Sequence, residues 1–225
     1  MANKSLYEPT LEKPMGLTSD KRPTIVTGGD GFLGRVLIAK LKTLGVPTDD
    51  FDITKGDNIL NLKALQERVP KEGIIFHLAA LLGTHELMSP SKTKQAIAVN
   101  IRGSVNIFQS AMRNGASVVF VTKPNPWLNT YSLTKETAEK FGMMYSQEPY
   151  RADIKGARLY SLYGPGQVPF SHHVEKAIPA MTVRALRGEP IKVYGDGCSR
   201  QMGANTADVC FCSRAALERD APNGT

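Results

Sequence analysis

Three glycines in the segment TIVTGGDGFLG, residues 24–34, fall in a G-x-x-G-x-x-G spacing. They follow a short β-branched run and open an apolar helical pattern. Gly28 lets the chain turn sharply off a strand. Gly31 leaves no side chain where a pyrophosphate must approach the backbone, and Gly34 lets the helix sit close on the sheet. A helix that starts at Phe32 and Leu33 aims its N-terminal amides and its dipole at the phosphates. A glycine fingerprint by itself is equally an ordinary turn. A strand before it and a helix after it are the context of a dinucleotide site.

An acid about 20 residues past such a turn bonds the adenosine ribose hydroxyls and repels a 2′-phosphate. Asp52, 18 positions after Gly34, is expected in that role. It favours NAD over NADP as cofactor. A plain turn aspartate is the alternative, and Asp49 and Asp50 compete for the position. Asp57 and Asn58, in the loop that follows, lie where they would reach the adenine. In His77-Leu78-Ala79-Ala80, small residues at the end of a strand leave room for a cofactor across the sheet. His77 is either a base or a buried, hydrogen-bonded core histidine, and the second reading is preferred. Asn100 and Asn106 interrupt an apolar helical pattern, where polar side chains usually tie down neighbouring backbone.

Tyr131 and Lys135 are i, i+4 neighbours and share a helix face. A phenol, with a pKa near 10, is a poor base at neutral pH. A neighbouring ammonium and the positive nicotinamide ring stabilise the phenolate and lower that pKa. Such a tyrosine takes a proton from a carbinol as hydride leaves for the cofactor. A surface aromatic–lysine pair would look the same alone. Its order after a dinucleotide turn and further strands gives it meaning.

The remaining composition excludes more than it assigns. A chain of 225 residues is long enough for one domain with a sizeable core. The formal charge of +7 comes from scattered basic residues without a dense Lys/Arg block, so a nucleic-acid partner is not expected. No apolar run approaches the roughly 20 residues that span a bilayer. No hydrophobic leader opens the sequence, and a cytoplasmic protein is expected. Cys198, Cys210 and Cys212 lack C-x-x-C spacing, so neither a metal site nor a disulfide framework is expected.

Strand-like and helical patterns alternate along the chain. Strands are expected at 24–27, 49–53, 74–78, 117–121 and 152–159. Helices are expected at 32–44, 62–69, 92–113 and 131–146. This order predicts an α/β fold with a Rossmann-like, doubly wound parallel sheet covered on both faces. Residues 1–22 read as a leader and 23–165 as the dinucleotide-binding domain. Residues 166–225 read as a partial substrate-binding cap, with a helix at 175–187, a strand at 191–194 and a final helix at 206–219.

The chain resembles the extended short-chain dehydrogenase/reductases, the NAD-dependent epimerase/dehydratase family that works on nucleotide sugars. The resemblance rests on TGGDGFLG at 27–34, FHLAA at 76–80 and VNIRGSVN at 99–106. It continues through YSLTK at 131–135, RLYSLYGPGQ at 158–167 and ALRGEPIKVYGDG at 185–197. It implies that Tyr131 is the catalytic acid/base and that Lys135 binds the nicotinamide ribose and tunes it. It implies cofactor contacts at Gly28, Gly31, Phe32, Leu33, Gly34, Asp52, Asp57, Asn58, Leu78, Ala79, Ala80, Asn100 and Tyr160. Substrate contacts are implied at Leu82, Ser161 and Arg200. Family members form homodimers through their long helices, and a homodimer is expected.

Three departures stand out. The family ends its fourth strand with two hydroxyl residues, the second polarising the sugar hydroxyl. Here Thr122 matches the first and Lys123 occupies the second, leaving Thr122 as the candidate. Only eight residues separate Thr122 from Tyr131, where relatives carry a longer loop. Beyond Asp208 the family pattern continues through elements that complete the sugar site, and Arg200 lies one position from the expected phosphate-binding arginine. No Asp-Glu pair follows Thr122, which disfavours 4,6-dehydration. The resemblance therefore implies an NAD-dependent nucleotide-sugar epimerase. An NADPH-dependent keto-sugar reductase and a non-catalytic dinucleotide-binding protein are the alternatives.

Overall fold

The computed structural model describes residues 20–83, 86–122, 128–159, 161–171, 174–191, 193 and 203–205. Five strands form one sheet: β1 (Thr24–Thr27), β2 (Thr48–Phe51), β3 (Ile74–His77), β4 (Ser117–Thr122) and β5 (Ile154–Arg158). All are parallel, in the order β2-β1-β3-β4-β5. Between β1 and β2 runs helix α1 (Phe32–Thr43), and between β2 and β3 runs α2 (Leu62–Arg68). The chain winds outward from β1 to β2, then returns to place β3 on the other side of β1. This reversal opens a crevice at the C-terminal ends of β1 and β3, where doubly wound sheets bind ligands.

Alternate strand residues feed two separate cores. Ile25, Phe51, Ile75, Val118 and Phe120 pack on one face with Leu65, Ile107, Phe108, Ala111 and Tyr145. Val26, Ile74, Phe76 and Val119 pack on the other with Leu37, Ile38 and Leu41 of α1. Because both faces are covered, the strands read as continuous apolar runs rather than alternating ones. The five-stranded, doubly wound sheet expected from the alternation is the one observed.

Several element boundaries differ from expectation, three of them by more than an end residue or two or for a visible reason. The helix expected over 92–113 is three segments: α3 (Pro90–Ala96), a π-helical stretch (Ile97–Gly103) and α4 (Ser104–Asn114). An i→i+5 stretch breaks the 3.6-residue period, so a periodicity argument runs straight across it. β2 stops at Phe51 because the next residue, Asp52, accepts a bond from Thr54 N and caps a 3₁₀ turn, Ile53–Lys55. The strand expected at 191–194 is not seen at residues 191 and 193. The final helix at 206–219 and all three cysteines lie outside the described residues.

Helix α5 (Thr130–Ser146) follows β4 and packs on the first core. After β5 come β6 (Ser161–Tyr163), β7 (Phe170–Ser171), β8 (Val174–Glu175), α6 (Ala177–Arg187) and β9 (Gly203–Asn205). β6 pairs in parallel with β9, which ties Ser161–Tyr163 to residues 42 positions later. The leader's last residues are tied to the domain, since Arg22 Nη1 donates to Ser117 Oγ at 3.0 Å and Lys21 Nζ to Leu44 O.

Phe108 lies edge-on to Phe120 with ring centroids 5.2 Å apart, and its side chain is fully buried. Phe108→Ala leaves a cavity between α4 and the sheet. It is expected to cost about 3–5 kcal/mol in urea unfolding, with the m-value unchanged.

Candidate active site

The glycine turn sits at the crevice, and its glycines have different jobs. Gly28 has φ +76°, and a Cβ there would stand 2.7 Å from Ala79 N at the end of β3. A Cβ on Gly34 would stand 2.7 Å from Gly29 Cα. A Cβ on Gly29 would enter the Asp50 carboxylate, a constraint the three-glycine spacing did not reveal. Gly31 differs: its nearest obstacle is Gly28 O at 3.1 Å, and the residue faces solvent as the N-cap of α1. Gly28, Gly29 and Gly34 are therefore glycines for packing. Gly31 keeps open the cradle in front of the first amides of α1, including those of Phe32 and Leu33. Helix N-termini of this kind are the usual place for an anion.

Four acids compete near the end of β2, and the structure separates them. Asp49 is bidentate to Arg68, with both bonds at 2.7 Å. Asp57 also pairs with Arg68, at 3.2 Å. Asp50 sits under Gly29 and pairs with Lys55. Asp52 accepts from Asp30 N and from Thr54 N, each at 3.0 Å, and is 7% exposed. It is thus the acid that touches the glycine turn, but it braces that turn from beneath. Asn58 spends its carbonyl on Leu60 N, at 2.9 Å.

A buried hydrogen-bonded chain runs from the glycine turn to the helix that carries Tyr131. Thr27 Oγ1 bonds His77 Nδ1 at 2.8 Å, and His77 Nε2 bonds Ser104 Oγ at 2.9 Å. Ser104 Oγ donates to Asn100 O at 2.7 Å. Asn100 lies in the π-helical stretch and donates Nδ2 to Leu81 O at 3.1 Å and to Thr134 Oγ1 at 3.0 Å. Its Oδ1 accepts from Leu81 N at 2.7 Å. Thr134 Oγ1 in turn donates to Tyr131 O at 3.0 Å. Asn100, expected among the cofactor contacts, therefore turns its amide to this scaffold. It fixes the segment after Ala79 and Ala80 against α5.

His77 is fully buried, and burial, reinforced by the Lys135 charge, pushes its pKa down to about 3. With both ring nitrogens hydrogen-bonded, it fits the preferred reading of a buried core histidine. Lys135 is buried on α5, and burial pushes its pKa down to about 8, opposed in part by Glu139. It still carries its proton at neutral pH. Tyr131 was expected with a lowered pKa. In the protein alone, burial instead raises it. Desolvation of the phenol is the cause of that shift, and the positive charge of the nicotinamide ring is part of the expected arrangement.

Thr122 ends β4, 2% exposed, and its hydroxyl has no hydrogen-bond partner among the described residues. Buried hydroxyls are ordinarily paired, and Thr122 Oγ1 is an exception among the described residues. Leu78, Ala79 and Ala80 follow β3 at the crevice; Leu82 is 65% exposed, and Ser161 lies at the exposed start of β6. Tyr160, Arg200, Lys123 and the rest of 123–127 lie outside the described residues. Among the described residues no group of three or more His, Cys, Asp or Glu is arranged to hold a metal. No described helix is long and apolar enough to cross a membrane.

The profile of the family described as "NAD dependent epimerase/dehydratase family" matches residues 24–122 and 120–224. The chain belongs to this family. Its cofactor is NAD, and the open cradle at Gly31 and the small residues after β3 fit that group. UDP-N-acetyl-alpha-D-glucosaminuronate decarboxylase of Bacillus cytotoxicus is 26% identical over 238 residues, covering 88% of this chain and 72% of the relative. UDP-glucuronic acid decarboxylase 4 of Arabidopsis thaliana is 27% identical over 220 residues, covering 82% of this chain and 48% of the relative. The chain thus spans about half the length of that plant enzyme. UDP-glucose 4-epimerase of Thermotoga maritima, solved with UDP-glucose, shares the fold with a TM-score of 0.75 at 21% identity. That match covers 87% of this chain and 73% of the solved one.

The glycine geometry separates folding from NAD binding. Gly31→Ala is expected to leave the urea midpoint nearly unchanged and to weaken NAD at least tenfold by calorimetry. Gly34→Ala is expected to destabilise the fold by more than 2 kcal/mol, since backbone must move.

His77 gives a pH dependence. Between pH 6.5 and about 3 the unfolded chain binds a proton at this position that the native state refuses, so stability falls as pH falls. His77→Gln removes that contribution while losing native hydrogen bonds. The variant is expected to be less stable at neutral pH, with its deficit narrowing by about 2 kcal/mol between pH 6.5 and 4.5 in urea titrations.

Proposed function

We propose that the protein oxidises a ring hydroxyl of a nucleotide-linked sugar and that the resulting keto-sugar is the branch point of its reaction. The observation that carries this reading is the pair on α5. Tyr131 stands one helical turn from the buried, protonated Lys135, beside a strand that ends in Thr122, whose hydroxyl has no partner among the described residues. Bound NAD supplies the hydride acceptor and later returns the hydride. The phenolic oxygen of Tyr131 takes the proton from the sugar hydroxyl as the carbon–oxygen double bond forms. The Lys135 ammonium stabilises the phenolate through their shared helix face and offers its protons to the nicotinamide ribose. Thr122 Oγ1 donates to the same sugar oxygen and orients it. The hydrogen-bonded chain through Asn100 and Thr134 holds the Tyr131 backbone in place.

Epimerisation follows when the keto-sugar turns over and regains hydride on its opposite face. The names of the relatives favour a second outcome. A uronate oxidised at C4 is a β-keto acid: its carboxylate leaves as carbon dioxide, the bonding pair passes into the C4 carbonyl as an enolate, and C5 then takes up a proton before hydride returns to C4. A nucleotide-uronate decarboxylase and an epimerase thus share the oxidation step and differ in the sugar admitted. A one-way NADPH-dependent keto-sugar reductase is distinguished by net consumption of reduced cofactor.

The experiment is incubation of the full chain with NAD and, separately, UDP-glucose, UDP-glucuronate and UDP-N-acetylglucosaminuronate, followed by NMR. Epimer formation from the first or carbon dioxide release from the uronates is expected. Tyr131→Phe is expected to cut turnover by about 10²–10⁴-fold with NAD affinity nearly unchanged. Turnover that survives Tyr131→Phe removes the catalytic assignment.

A further inference from the structure

Helix α5 carries one more charged group in line with the Tyr131/Lys135 pair than the reaction uses. Tyr131, Lys135 and Glu139 stand at i, i+4 and i+8 and form a single stripe along it. Lys135 is 3% exposed and makes no ion pair among the described residues. A buried ammonium is costly unless a charge compensates it. The carboxylate that acts on it is that of Glu139, one turn further along the helix, with its side chain 16% exposed. Glu139 is held in that place. Its Oε1 accepts from Arg158 Nε at 3.1 Å and from Arg158 Nη2 at 2.7 Å. Arg158 ends β5 and is in register with Thr122 at the end of β4. The stripe is thus tied at its far end to the strand ends that flank the site.

The other charged side chains described on α5 and on the elements packed against it are engaged elsewhere or exposed. Glu136 pairs with Lys140 on α5 itself, Lys155 of β5 with Asp153, and Arg113 of α4 with Gln66. Lys92 and Lys94 of α3 and Arg102 of the π-helical stretch are exposed. His77 of β3 is uncharged at neutral pH. We propose that Glu139 is the counter-charge of the Lys135 ammonium, a positioning residue that Arg158 holds at the end of the Tyr131–Lys135–Glu139 stripe. The inference rests on the Tyr131/Lys135 reading above. Glu139 acts through Lys135: its charge opposes the effect of burial and keeps the ammonium protonated across the neutral range. Arg158 fixes the carboxylate and offsets part of its charge.

The test is an NMR titration of the full chain labelled with ¹³C at lysine Cε, together with urea unfolding of each variant. The Lys135 resonance is the one that Lys135→Met removes, and its midpoint is expected at about 8. Glu139→Gln is expected to lower that midpoint by at least about 0.5 pH. Turnover needs the charged lysine and falls as pH rises through this midpoint, so its alkaline limb moves down with it. Glu139→Asp keeps the charge and is expected to hold the midpoint. Arg158→Gln removes the offsetting positive charge and is expected to raise it. A merely structural ion pair would lower the urea midpoint of both variants and leave the lysine midpoint in place, or shift it the same way in both. Either result overturns the proposal. The lysine titration needs no turnover, so turnover that survives Tyr131→Phe overturns the catalytic reading alone.

Discussion

Gly28 brings β1 against the end of β3 so closely that a Cβ would stand 2.7 Å from Ala79 N. One residue earlier, Thr27 bonds the buried His77 across the same pair of strands at 2.8 Å. Both contacts sit where the winding of the sheet reverses between β2 and β3. The crevice that reversal creates is the only feature a doubly wound sheet offers a ligand without further elaboration. The close approach fixes its width. The turn residues Gly28–Gly31, the strand-end residues Leu78–Ala80 and the acids after β2 are all positioned relative to that one contact.

The constraint propagates through polar groups inside an otherwise apolar domain. Buried polar side chains are expensive unless every one is paired, and a fully paired set imposes a unique arrangement. His77 uses both ring nitrogens, Ser104 bonds both His77 and the backbone, and Asn100 uses its whole amide. A neutral histidine suits this position because each ring nitrogen has one partner and neither needs a charge. The chain ends on the backbone of Tyr131. The π-helical stretch from Ile97 to Gly103 belongs to the same device, since it presents Asn100 to both Leu81 and Thr134. Such stretches are frequent at functional sites because they re-aim side chains at the expense of regular hydrogen bonding.

Electrostatics divides the two ends of the site. On α5, burial dominates: it lowers Lys135 to about 8 and raises Tyr131. At the adenosine end, exposure dominates, and charges are balanced pairwise: Asp49 and Asp57 on Arg68, Asp30 and Asp50 on Lys55. These surface pairs contribute little to stability.

The strand–helix alternation, the glycine spacing and the Tyr131/Lys135 pair were legible in the sequence, because each depends on residues within a few positions of one another. Apolar runs report burial on both faces directly, and a glycine turn between a strand and a helix has few other uses. The same local logic failed where the deciding partner is distant in sequence. The helix expected over 92–113 is broken because Asn100 answers to Leu81 and Thr134, and no 3.6-residue count contains that information. Asp49, Asp50, Asp52 and Asp57 are indistinguishable as letters. Only the tertiary structure assigns Asp52 to the glycine turn, Asp50 to the space Gly29 leaves, and the other two to Arg68. The role of each glycine likewise depends on what its missing Cβ would strike. Chemistry of residue types at fixed spacing is written along the chain, whereas the direction, burial and pairing of each polar group are decided by what folding brings beside it.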